Sequence, residues 1–128
     1  MIVLDTHALL WWVTKDRRMS AGAKRAIVRT PDIGVATVSA WELATLVRLG
    51  RINLRPDVRT WVQRALALDG VRSIPLTPEI AIAAGSLGST FAGDPADRII
   101  YATAQAEGAQ LVTKDRRLRD ADPARVVW

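Results

Sequence analysis

The chain contains no cysteine. Disulfides, thiolate zinc sites and a cysteine nucleophile are therefore excluded, and the absence fits a reducing compartment. There is one histidine, His7, so no multi-histidine metal site can form. Any metal must be held mainly by oxygen, which favours magnesium or manganese. No stretch approaches the roughly 20 apolar residues needed to cross a bilayer. The opening segment, Met1 to Asp5, has no basic residue, and an acid interrupts its short apolar run, unlike a signal peptide. A cytoplasmic protein without membrane contact is expected.

What is present suits one compact domain over residues 1–128. The composition is 49% hydrophobic and 24% charged, that of a globular protein rather than a disordered one. The formal net charge is +5 and the sequence pI is about 10.7. A basic surface favours polyanions such as nucleic acid.

Apolar runs and cap signals alternate along the chain. Ile2 to Leu4 reads as a short buried strand, followed by a helix through Val13 that Thr6 could cap. Ser20 suits the cap of a helix over 21–29. Ile33 to Val38 reads as a second strand. Ser39-Ala40-Trp41-Glu42 has the form of a capping box opening a helix to Leu49, ended by Gly50. Arg55-Pro56-Asp57 starts a further helix to about Leu68, and Asp69-Gly70 forms a turn before a strand over Val71 to Ile74. Thr77-Pro78 and Asp94-Pro95 each pair a capping residue with proline in the first turn. They open helices to about Leu87 and to Glu107, with a loop at 88–93 between them. Leu111 to Thr113 and Val126 to Trp128 are the last strands, with a helical turn at 116–119. Strands alternating with helices indicate a parallel sheet covered by helices.

Four acidic stretches fall where strands end or helices begin: Asp5, Glu42, Asp94 with Asp97, and Asp115. In an open α/β sheet the carboxyl ends of the strands share one crevice. Acids distant in sequence can meet there, around a hard cation. Each acid also has a structural reading. Asp5 and Asp94 suit helix caps, Glu42 suits the capping box, and Asp115 has Lys114, Arg116 and Arg117 around it as surface ion-pair partners. The two roles are not exclusive. Asp94 is assigned mainly to capping and Asp97 mainly to metal. Thr6 and Thr113 are further candidates for the same crevice.

The arrangement resembles the PIN domain, a family of metal-dependent ribonucleases, with its nearest likeness to the VapC toxins of toxin–antitoxin pairs. Asp5 in Val-Leu-Asp-Thr-His, Glu42 in Val-Ser-Ala-Trp-Glu-Leu, Asp97 in Asp-Pro-Ala-Asp-Arg-Ile-Ile and Asp115 in Leu-Val-Thr-Lys-Asp match the family's four acids in order. The resemblance covers nearly the whole chain. It implies a three-layer α/β sandwich with a central parallel sheet of four to five strands. It also implies magnesium, with manganese as a substitute, held by Asp5, Glu42, Asp97 and Asp115, and hydrolysis of an RNA phosphodiester. His7 stands where many relatives carry a small hydroxyl residue, and it reads as a packing or hydrogen-bonding residue rather than a general base.

An acidic pocket needs a basic rim to admit RNA. The candidates are Arg48, Arg51, Arg98, Lys114, Arg116 and Arg117. Leu9 to Val13, with Trp41 and Trp61, reads mostly as core, with any exposed indole marking an interface. The resemblance implies a homodimer and a cognate antitoxin that covers apolar surface and reaches toward the acids. An aspartyl-phosphate phosphatase is disfavoured, because His7 stands where that chemistry needs a second acid. A catalytically dead RNA-binding or interaction module is opposed by the presence of all four acids.

Overall fold

The computed structural model describes residues 1–91 and 93–128. Position 92, in the expected loop at 88–93, lies outside the described residues. In chain order the elements are β1 (Ile2–Leu4), α1 (Thr6–Val13), α2 (Ala21–Arg29), β2 (Ile33–Ala36), α3 (Val38–Arg48), α4 (Val58–Leu66), β3 (Val71–Ile74), α5 (Pro78–Ser86), α6 (Pro95–Ala106), β4 (Gln110–Val112), α7 (Arg116–Ala121) and β5 (Val126–Val127). The strands form one five-stranded sheet in the order β3-β2-β1-β4-β5, parallel throughout.

Strand side chains alternate between the two faces of this sheet. Ile2, Leu4, Ile33, Val35 and Val112 point to one side, where Ala8, Leu9, Ala23, Ile27, Leu43 and Ala65 from α1 to α4 cover them. Val3, Ala36 and Leu111 point to the other, against Ile100, Tyr101 and Ala104 of α6 and Leu118 of α7. α5 packs on α6 through Ile80, Ala84 and Ala102. The result is three layers, helix–sheet–helix. Because both faces are covered at the centre of the sheet, β1 and β2 are apolar in unbroken runs, whereas the edge strand β3 carries exposed Arg72 and Ser73. Among the described residues no helix is long and apolar enough to cross a membrane.

Turn chemistry sets several boundaries. Gly70 has φ of +77°, and a Cβ there would lie 2.3 Å from the Pro31 carbonyl oxygen, so only glycine fits the entry to β3. Ser20, Asp57, Thr77 and Asp94 each accept from a helix amide as expected of caps.

Two cap assignments are corrected. Asp5, not Thr6, caps α1, accepting from the Ala8 amide at 2.7 Å. Thr6 is already helical and buried, and its hydroxyl donates to Ser39 at 3.1 Å. Ser39 therefore makes no capping box. β2 ends at Ala36 rather than Val38, and α3 begins at Val38, two residues earlier than expected, with no side-chain cap bond. Thr37 instead turns its hydroxyl to the Ile74 carbonyl at 2.8 Å. These are tertiary bonds, and local capping rules cannot see them.

Candidate active site

The strand order explains where a site must form. The chain builds outward from β1 to β2 to β3, then returns to place β4 on the other side of β1. That reversal opens a crevice at the carboxyl ends of β1 and β4. Asp5 directly follows β1, and Thr113 to Asp115 directly follow β4. α3 leaves the carboxyl end of β2 and carries Glu42 toward the same edge. α6 leads into β4 and so runs against the strand direction, which puts its amino terminus, Asp94 and Asp97, at this edge too.

The side chains meet there. Asp5, Glu42, Asp94, Asp97 and Asp115 line one cavity of about 620 Å³, together with His7, Trp11, Leu46, Arg51, Lys114 and Arg117. Carboxylate oxygens of Glu42, Asp94 and Asp97 lie within 4.8 Å of one another. Asp5 and Asp115 border the same cavity but stand outside that tighter group.

Three of the five acids also cap helices. Asp5 caps α1, Asp94 caps α6 with its Oδ1 3.2 Å from the Asp97 amide, and Asp115 caps α7 at 2.8 Å from the Arg117 amide. Helix amino termini stabilise negative charge, so capping and clustering support each other. Each cap uses one carboxylate oxygen, and Asp94 still offers an oxygen to the group with Glu42 and Asp97. Glu42, without its capping box, is given over to the cavity. Thr113 ties two acids together: its hydroxyl accepts from the Asp115 amide at 3.1 Å and hydrogen-bonds the Asp5 carboxylate.

The electrostatics record the crowding. Burial pushes Asp97 up to about 7, and Asp94, Glu42, Asp5 and Asp115 each push it further in that direction. Asp5 is also raised, by burial first and by Glu42. Hydrogen bonds from Thr113 and the Ala8 amide, with the charge of His7, offset part of that rise. The upward shifts of Asp97 and Asp5 mark an excess of negative charge at this point. An all-oxygen donor set of this charge fits a hard divalent cation.

The basic candidates divide. Arg51, Lys114 and Arg117 line the cavity, and Arg117 is held 3.3 Å from Asp115. Arg48 and Arg116 are exposed outside it. Arg98 turns to the end of α5, donating to the carbonyls of Ala84 at 3.1 Å and of Leu87. Thr6 lies beneath the site, bonded to Ser39, rather than in its lining. Trp11 and Leu46 belong to the lining and were not singled out as site residues. Each stands four positions after a cavity residue, His7 and Glu42, on the same helix face, and that spacing was the available signal.

The PIN domain family profile matches residues 2–123. The chain belongs to the PIN domain family. It is 45% identical over 118 residues to Ribonuclease VapC22 of Mycobacterium tuberculosis, covering 92% of this chain and 89% of that protein. In fold, this PIN domain is similar to a toxin–antitoxin complex from Klebsiella pneumoniae, with a TM-score of 0.70 at 23% identity over 100% of this chain and 97% of the other. It is also similar to VapBC2 from Rickettsia felis bound to a promoter DNA fragment, with a TM-score of 0.69 at 15% identity, over 98% and 97% of the two chains.

Proposed function

We propose that this PIN domain is a metal-dependent endoribonuclease, the toxin of a VapBC-type toxin–antitoxin pair. The observation that carries the reading is the shared cavity in which Asp97 feels four other acids. The relative named a ribonuclease and the toxin–antitoxin neighbours support the substrate class and the biological role. In this reading residues 1–128 make one catalytic domain working in the cytoplasm.

Glu42, Asp94 and Asp97 would hold a magnesium ion, or manganese in its place, with Asp5 and Asp115 as further oxygen donors from the strand ends. When bound, such a cation lowers the pKa of a coordinated water and stabilises charge on phosphate oxygens. The chain's own residues do the rest. Thr113 fixes Asp5 and the turn that carries Asp115, so both acids enter the cavity with their geometry set. Arg51 and Lys114 supply positive charge at the rim, where an incoming phosphate is otherwise repelled. His7 is exposed at the cavity mouth beside Trp11 rather than packed in the core, and there it can meet substrate.

Homodimerisation and capture by a cognate antitoxin belong to the same proposal. Trp41, 62% exposed on α3, is an apolar surface for either partner.

The test is cleavage of labelled RNA by the purified protein with magnesium and with EDTA. Cleavage that EDTA abolishes and magnesium restores is expected. Equal cleavage in EDTA, or none under any condition by the folded protein, would refute the reading. Mapping of cut sites across total RNA then identifies the target.

A further inference from the structure

Trp11 is shared by two cavities. It lines the acidic one, and with Trp12, Lys15, Met19 and Lys24 it lines a second of about 350 Å³. No carboxylate lines that second cavity. Its only charged groups are two lysines, and neither makes an ion pair among the described residues. Between the cavities the Trp11 ring is flanked by cations, with Arg18 Cζ at 5.0 Å and Lys114 Nζ at 5.6 Å from its centre, and by the His7 ring at 5.5 Å. Arg18 is partly answered by Asp16 at 2.8 Å.

Lys15 occupies a place where its residue type is unusual. α1 ends with the Lys15 amide on the Trp12 carbonyl and the Asp16 amide on the Trp11 carbonyl. This is a Schellman closure, whose left-handed residue is normally glycine. Lys15 holds φ of +54° there, the one positive-φ residue other than glycine among the described residues. Backbone geometry asks for glycine at this point, so the turn does not account for the lysine. What the lysine adds is a charge at the second cavity.

We propose that an RNA strand leaving the acidic cavity passes the edge of Trp11, which is buried in the core, and sets its flanking phosphates on the exposed Lys15 and Lys24. The contact is electrostatic: phosphates take the charge of the two lysines, while the Trp11 ring, already packed by Trp128 at 5.8 Å and by His7, Arg18 and Lys114, serves as the wall between the cavities. The acids around the reacting phosphate repel its neighbours along the strand, and this second cavity relieves that repulsion. The proposal rests on the nuclease reading and adds a substrate-positioning subsite to it.

The experiment compares wild type with Lys15→Gly, Lys24→Ala and the double variant. Binding of a labelled single-stranded RNA of roughly ten nucleotides is followed by anisotropy in EDTA across a salt series. Each phosphate contact on a single strand contributes about 0.7 to the salt slope, so the double variant should lose about 1.4. With magnesium, KM for that RNA should rise about tenfold with kcat unchanged, the mark of lost uniform binding, while cleavage of a dinucleotide stays as it was. Lys15→Gly should melt no lower than wild type, which separates lost binding from lost folding, and Lys15→Arg should retain binding. An unchanged slope and KM in the double variant would overturn the proposal. So would a double variant that binds RNA normally but no longer holds a co-expressed partner protein, since that assigns the cavity to the partner. If the lysines set the salt slope while EDTA-sensitive cleavage is absent, the nuclease reading fails and the subsite stands.

Discussion

Two aspartates at opposite edges of the sheet receive opposite treatment. Asp122 lies at the amino edge, near the start of β4 and β5. Tyr101 donates to it at 2.8 Å, the Arg125 amide at 3.2 Å and the Arg125 guanidinium at 3.1 Å. Burial pulls its pKa upward, but these donors outweigh burial and leave it below the ordinary carboxylate value. Asp97 lies at the carboxyl edge among four acids and is pushed up to about 7. The first carboxylate is satisfied by the fold and serves the fold. The second is left in electrostatic debt, and a fold keeps such a debt where a ligand can discharge it.

The sharpest way to break this contrast is to neutralise each residue in turn. Asp97→Asn should lower RNA cleavage on the order of 10³-fold, because the several kcal/mol of charge stabilisation attributed to a bound cation converts at about 1.4 kcal/mol per tenfold. It should leave the melting temperature unchanged or raised, since repulsion is relieved. Asp122→Ala should do the reverse. It strands the Tyr101 hydroxyl and the Arg125 guanidinium and should cost about 2 kcal/mol, with cleavage retained in the folded protein. Calorimetry and initial rates on the two variants check both halves. A stable, active Asp97→Asn would abolish the distinction.

A pH series sharpens it further. Asp97 and Asp5 both have folded pKa values above the unfolded value of 3.8. Their contribution to stability is therefore fully present below that value and is lost as pH rises, for Asp97 through about 7. Asp122 and Asp57, both lowered, titrate below that reference and stay charged between pH 5.5 and 8. Within that window the metal-free protein should melt several degrees lower at pH 8 than at pH 5.5. Magnesium should recover the loss, with a larger shift at pH 8, where the acids are ionised. Equal magnesium shifts at both pH values would count against a cation among these carboxylates.

The same contrast marks what the sequence made legible. β1, α2 and β3 follow the expected bounds, because an unbroken apolar run, a Ser20 cap or the Asp69-Gly70 turn and Pro75 that bracket β3 are decided within a few residues. The convergence of acids at one sheet edge was also readable, since Asp5 and Asp115 each sit just past a strand. Illegible were contacts across long separations. Ser39 looked like a cap and proved a buried partner of Thr6, 33 positions away. Arg98 looked like a rim cation and proved tied to α5. Asp94 was assigned mainly to capping, yet it both caps α6 and joins the tight acidic group. The sequence offered both uses for such a side chain, and packing shows that Asp94 serves both at once.

The smallest effect tests how the acidic edge is held in place. Thr6 and Ser39 are fully buried and bond each other directly beneath Asp5 and Glu42, one residue from the first and three from the second. Thr6→Val leaves the Ser39 hydroxyl without its donor, and Ser39→Ala leaves the Thr6 hydroxyl without its acceptor. Each single change should be more costly than half of the double change, because replacing both polar partners removes the unsatisfied group. A double-mutant cycle should return a coupling of about 0.5–1 kcal/mol. Each single variant should also cleave RNA somewhat more slowly, because α1 and α3 carry Asp5 and Glu42 into the cavity together. Additive melting shifts would mean that the helices are registered by apolar packing alone and that this hydroxyl pair does not position the acids.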